Sequence, residues 1–80
     1  MQTNPDYYTS ARTLATHLFE RGEFEWSRQI EDAIAGGSTS TEILMMLRHT
    51  LRLIITSEVA TPEETTAGNA LIAKLNEVLA

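Results

Sequence analysis

Gly36-Gly37-Ser38-Thr39-Ser40-Thr41-Glu42-Ile43-Leu44-Met45-Met46-Leu47 marks where one helix stops and the next starts. A glycine pair after Ala33-Ile34-Ala35 supplies a residue able to adopt the left-handed conformation that closes a helix. Thr39-x-x-Glu42 then has the spacing of a capping box. The Thr39 hydroxyl takes the backbone N–H three residues on, and the Glu42 carboxylate reaches back to the Thr39 N–H. The residues after the box are apolar at helical spacing. At 100° per residue, Ile43, Leu44, Leu47, Leu51, Ile54 and Ile55 share one broad face, and Met46 and Leu53 form a second stripe beside it. Arg48, His49 and Arg52 occupy the remaining arc, with Met45 among them. A helix this apolar is expected to be central, over about 40–57.

The rest of the chain obeys the same logic. Thr61-Pro62-Glu63-Glu64 is a second capping box, with proline at the first helical position, and predicts a helix over 62–79. Its apolar positions are Ala67, Leu71, Leu75 and Val78, flanked by Ile72 and Leu79, and Gly68 would let another helix approach closely. Upstream, Asn4-Pro5 predicts a helix start. Tyr7, Tyr8, Ala11, Leu14, Ala15 and Leu18 recur at three- and four-residue steps, with Phe19 at the edge of the stripe, giving a helix over 5–21. Arg21 in its last turn suits the helix dipole. Gly22 separates it from a shorter helix over 23–35, whose apolar side is Phe24, Trp26, Ile30, Ala33 and Ile34. So short a link makes the two a hairpin. The expected fold is all-α, a compact four-helix domain spanning 1–80: helical hairpin, central apolar helix, C-terminal helix.

Composition narrows the chemistry. The 80 residues carry six Lys and Arg against eleven Asp and Glu, a formal charge of −5. Nucleic-acid and anionic-membrane binders need a basic face, so neither partner is expected. The start of the third helix would have to serve as a recognition helix, yet it is apolar and acidic. With no cysteine, a disulfide framework, a Cys-ligated zinc site and thiol catalysis are excluded. His17 and Glu20 are three apart, in the reverse order of the Glu-x-x-His unit of dimetal bundles, and no second copy exists. No metal and no cofactor are therefore expected. Gly36-Gly37-Ser38-Thr39 is not a phosphate loop, because no lysine comes after it and no strand precedes it. No catalytic residue is assigned, and the chain is read as a non-enzyme. The N-terminus has neither a basic region nor an apolar run, so the expected location is the cytoplasm.

Protein binding remains, with eight candidate interface residues. Glu23, Glu25, Glu31 and Asp32 form an acidic stretch suited to capturing a basic partner. Met45, Arg48, Arg52 and Leu53 lie on the third helix outside its core face. The methionines and Leu53 exceed what one core face needs and suit a dimer seam. The segment from Gly36 to Arg48, preceded by Arg28-Gln29-Ile30-Glu31-Asp32-Ala33-Ile34, resembles a group of short bacterial proteins over about fifteen residues. That resemblance implies a small helical bacterial protein, and an association with immunity partners of secreted toxins. It assigns no site, though Thr41, Arg48 and Arg52 share one polar side of the helix. The expected function is a binding module, most concretely an immunity-type inhibitor occluding a basic toxin. The alternatives are a self-associating structural or adaptor protein and a small metal- or ligand-binding bundle.

Overall fold

Connections of three, three and six residues turn each helix back along its predecessor. The computed structural model describes residues 7–79, which form α1 (Tyr7–Glu20), α2 (Phe24–Gly36), α3 (Ser40–Ile55) and α4 (Pro62–Leu79), with no strand among them. α1 packs on α2, α2 on α3, α3 on α4, and α4 closes on α1. The result is a four-membered ring in which every helix has two neighbours, so α3 is not the central helix its apolar breadth suggests, and the surplus Met45, Met46 and Leu53 stay exposed. Leu18, Ile30, Leu47, Leu51, Ile54 and Leu75 meet fully buried in the middle. Each such side chain contributes roughly 1.5–3 kcal/mol of transfer free energy. Tyr7, Tyr8, Trp26 and Ile34 lie half-buried against that core.

The helix ends explain the boundaries. Gly22 has φ +93°. The Glu23 N–H donates to Leu18 O at 2.8 Å and the Gly22 N–H to Phe19 O at 3.0 Å. Together these make a Schellman closure, so α1 stops at Glu20. Gly36-Gly37 works differently from expectation. Gly36 is helical, and Gly37 is extended with φ −86° and ψ 150°. Its glycine is needed for space, because a Cβ would lie 2.6 Å from Ile43 Cγ1 and 2.9 Å from the Ile43 nitrogen. α3 ends two residues earlier than its periodicity suggests. The Thr56 hydroxyl donates to Arg52 O at 2.8 Å and the Ser57 hydroxyl to Ile54 O at 2.7 Å, satisfying the last carbonyls. The Asn4-Pro5 start lies outside the described residues.

Two faces are rotated from their expected positions. In α4 the buried line is Glu64, Gly68, Leu71, Ile72 and Leu75, while Ala67 and Val78 are exposed. Gly68 does admit another helix: its Cβ would meet Ile55 Cγ2 at 2.5 Å, so α3 is the one that approaches. In α2, Phe24 is 58% exposed and stacks edge-on against Phe19, itself 57% exposed, with centroids 4.9 Å apart. The pair caps the α1–α2 corner from outside the core. No described helix is long and apolar enough to cross a membrane.

Candidate protein-binding surface

The charged side chains are mostly committed to one another. At the end of the ring where α1 finishes and α4 begins, the Thr61 box forms as read. The Glu64 N–H donates to Thr61 Oγ1 at 3.1 Å, and the Thr61 N–H donates to Glu64 Oε1 at 2.9 Å. The same carboxylate, only 1% exposed, receives Arg21 in a two-pronged contact, Nε to Oε2 at 2.5 Å and Nη2 to Oε1 at 2.7 Å. Arg21 Nη2 also donates to Val59 O, pinning the α3–α4 connection, and His17 Nε2 lies 3.1 Å from Oε2. The Arg21 guanidinium, helped by the Thr61 amide, holds the Glu64 carboxyl below its ordinary range although burial opposes this. Arg21 therefore serves as a clamp between helices. The capping-box spacing makes Glu64 visible in the sequence, but nothing local shows that it is buried.

The Thr39 cap forms only in part. The Glu42 N–H donates to Thr39 Oγ1 at 3.2 Å. The carboxylate, however, accepts from the Ser38 hydroxyl at 2.7 Å and the Ser38 amide at 3.0 Å. Those bonds hold its carboxyl below the ordinary range. Both go to Oε1, and the Thr39 amide adds a smaller pull on the same carboxylate.

The four acidic candidates lie along α2 and its N-terminal edge, each beside an arginine of the same chain. Arg28 takes Glu25 at 2.7 Å and Asp32 at 3.4 Å; Arg12 lies 3.5 Å from Glu31; Arg21 lies 3.7 Å from Glu23. Arg28 lowers the Glu25 carboxyl by hydrogen bonding to it. Nor is the negative charge concentrated there. Residues 7–36 carry three arginines against five acids, and residues 37–79 also carry three basic against five acidic side chains.

The third-helix candidates divide in two. Arg48 is drawn to α4, where it donates to Asn76 Oδ1 at 2.8 Å, and Thr41 is exposed near the start of the helix. Met45, Met46 and Leu53 are 50%, 42% and 43% exposed. With His49 and Arg52 they fall in an arc of about 120° on the side opposite Leu47, with His49 at its centre. Arg52 is the one arginine with no side-chain partner among the described residues. Periodicity foresees the exposed methionines and Leu53, but which arginine is left over depends on where α4 places Asn76.

Two other features are geometrically distinct. Between α1 and α4, the sparsest seam of the ring, adjoining pockets of about 260 and 300 Å³ share Ser10, Thr13, Leu14 and Ala67. No buried side-chain nitrogen or oxygen among the described residues lacks a partner. His17 faces Glu64 across the same seam. No group of three or more His, Asp or Glu side chains among the described residues is placed to hold a metal ion. No protein family, curated protein or solved structure matches this chain, so likeness to known proteins gives none of these residues a role.

Proposed function

We propose that this chain is a non-enzymatic protein-binding module that docks its partner on the outer side of α3. One observation carries the reading. Met45, Met46 and Leu53 stand about half exposed in a single arc centred on His49 and edged by Arg52, which has no side-chain partner among the described residues. Exposed apolar side chains gathered along several turns of one helix are the usual material of a helix-mediated interface, and methionine adapts to the shape it meets. The Phe19–Phe24 pair is more exposed still, but those rings already cover one another at a corner. Occlusion of a basic partner, such as a toxin nuclease, by Glu23, Glu25, Glu31 and Asp32 has less behind it. Such a partner would first have to displace Arg12, Arg21 and Arg28 from those carboxylates.

The test is retention of a stoichiometric protein by the tagged chain from a lysate of the source organism, read by mass spectrometry and compared among variants. Retention is expected to fail for Met45→Glu/Leu53→Glu and to survive Phe19→Ser/Phe24→Ser, with circular dichroism confirming that both stay helical. Binding indifferent to the α3 substitutions would overturn the reading.

A further inference from the structure

The outward residues of α3 are arranged so that a second copy, turned end for end, can complement them. Glu42, Met45, His49, Arg52, Leu53 and Thr56 succeed one another along the same outward arc. The acid stands at the N-terminal end, His49 at the middle and the unpaired arginine toward the C-terminal end. Turned about a two-fold axis passing beside His49, a second copy sets Met45 against Leu53, and Leu53 against Met45. Glu42 then faces Thr56 of the second copy, one helical turn from that copy's Arg52. Four residues of α-helix rise about 6 Å, a distance an arginine side chain spans. Ser38 and the Thr39 amide hold the Glu42 carboxylate in place, but no cation among the described residues pairs with it. An isologous contact forms both ion pairs by symmetry, and each copy supplies the charge the other lacks.

Resting on the docking role of α3 argued above, we propose that the occupant of this face is a second copy of the chain. The two α3 helices pair antiparallel, with Met45 and Leu53 interdigitated and Glu42 bound to Arg52 across the axis on both sides. One helix face of this length buries less than the roughly 1,200–2,000 Å² of a standard interface. Association is therefore looked for at high concentration, from about 10 μM to about 1 mM.

Sedimentation equilibrium across that concentration range tests it, together with cysteine cross-linking in a chain that has no cysteine of its own. His49→Cys is expected to form a disulfide-linked dimer under mild oxidation, because position 49 meets itself at the axis. Ala73→Cys on the exposed side of α4 is not. Arg52→Glu is expected to weaken association at least tenfold, and Glu42→Arg combined with Arg52→Glu to restore it, which a merely structural role for either residue would not produce. A chain monomeric at about 1 mM without cross-linking at position 49, or a dimer that Leu53→Glu leaves intact, overturns the pairing. A photo-reactive residue at position 53 separates the two proposals. Capture of a different protein there overturns self-pairing and leaves α3 as a docking face, whereas capture of nothing overturns both.

Discussion

The α1–α4 end of the ring and the outer side of α3 use the same kinds of side chain in opposite ways. At the first, an arginine and a glutamate 43 positions apart close on each other in a shielded place, and no buried side-chain polar atom there lacks a partner. At the second, an arginine of the same type has no side-chain partner among the described residues and stands beside half-exposed methionines and a leucine. In the first region side-chain bonds hold the fold shut. In the second, the side chains are half exposed, so their removal is expected to cost the fold little. If α3 is the docking face proposed above, stability and recognition fall to different residues of one small molecule.

The sharpest way to break that separation is a pair of near neighbours on α3. Leu51 is fully buried and Leu53 is 43% exposed. Leu51→Ala is expected to cost about 2–5 kcal/mol, since it opens a cavity in the middle of the ring. Leu53→Ala is expected to fall within roughly 0.5 kcal/mol of the parent. Urea denaturation measures both, and similar losses would mean that Leu53 belongs to the core after all.

The clamp supplies the next largest effect. Arg21→Ala leaves Glu64 buried with its main cation gone and is expected to lower the melting temperature by on the order of 10 °C. Arg21→Met with Glu64→Leu, which removes both charges, is expected to recover most of that loss. A double variant as unstable as the single would show that the shape of the contact matters more than its charge. The same carboxylate gives a pH dependence. Its folded-state pKa is depressed by Arg21, so its contribution is fully present above the unfolded carboxylate value near roughly 4.3 and is lost as pH falls through the lower folded value. Thermal melts of the parent from neutral pH to about pH 3 should show stability falling below about pH 4.5, and the doubly apolar variant should show less of that fall.

What is legible in the sequence depends on which interactions are local. Helix starts at Thr39 and Thr61 are readable because capping is a four-residue affair, and so is Gly22, whose left-handed turn depends only on its neighbours. The end of α3 escapes the periodicity because Thr56 and Ser57 close it through hydroxyls that a hydrophobic period does not register. The inward face of α4 is rotated from its apolar pattern because Glu64 occupies a core position only once Arg21 arrives from another helix. Arg52 is the arginine without a side-chain partner among the described residues for a similar reason, since Asn76 of α4 claims Arg48. Phe24 is core by its type, yet it sits on the flank of α2 beside Phe19, where no other described helix covers it.

Two glycines contrast the α2–α3 turn with the α3–α4 contact at a smaller scale. Gly37→Ala would press a methyl group within 2.6 Å of Ile43 Cγ1 and 2.9 Å of a backbone nitrogen that cannot step aside. A loss of about 1–3 kcal/mol is expected. Gly68→Ala meets only the side chain of Ile55, with no backbone in the way. It also gains roughly 1 kcal/mol in helix propensity, so its net change should be the smaller. The reverse order in denaturation midpoints would show the α3–α4 contact to be the tighter one.

The smallest effect bears most directly on function. Glu25, Arg28 and Asp32 form an exposed chain of contacts at i,i+3 and i,i+4, an arrangement that water and salt largely screen. Arg28→Ala should shift the melting temperature by no more than about 2 °C. It would nevertheless release two carboxylates and leave α2 with three acids, Glu25, Glu31 and Asp32, and no basic side chain. If the α2 acids are an interface for a basic partner, this variant should bind that partner more tightly than the parent, and more so at low salt, because steering by net charge grows as screening falls. If recognition belongs to α3, affinity should not change. One substitution with almost no cost to the fold therefore separates the two surfaces, and stronger binding by Arg28→Ala would move the functional site from α3 to the hairpin.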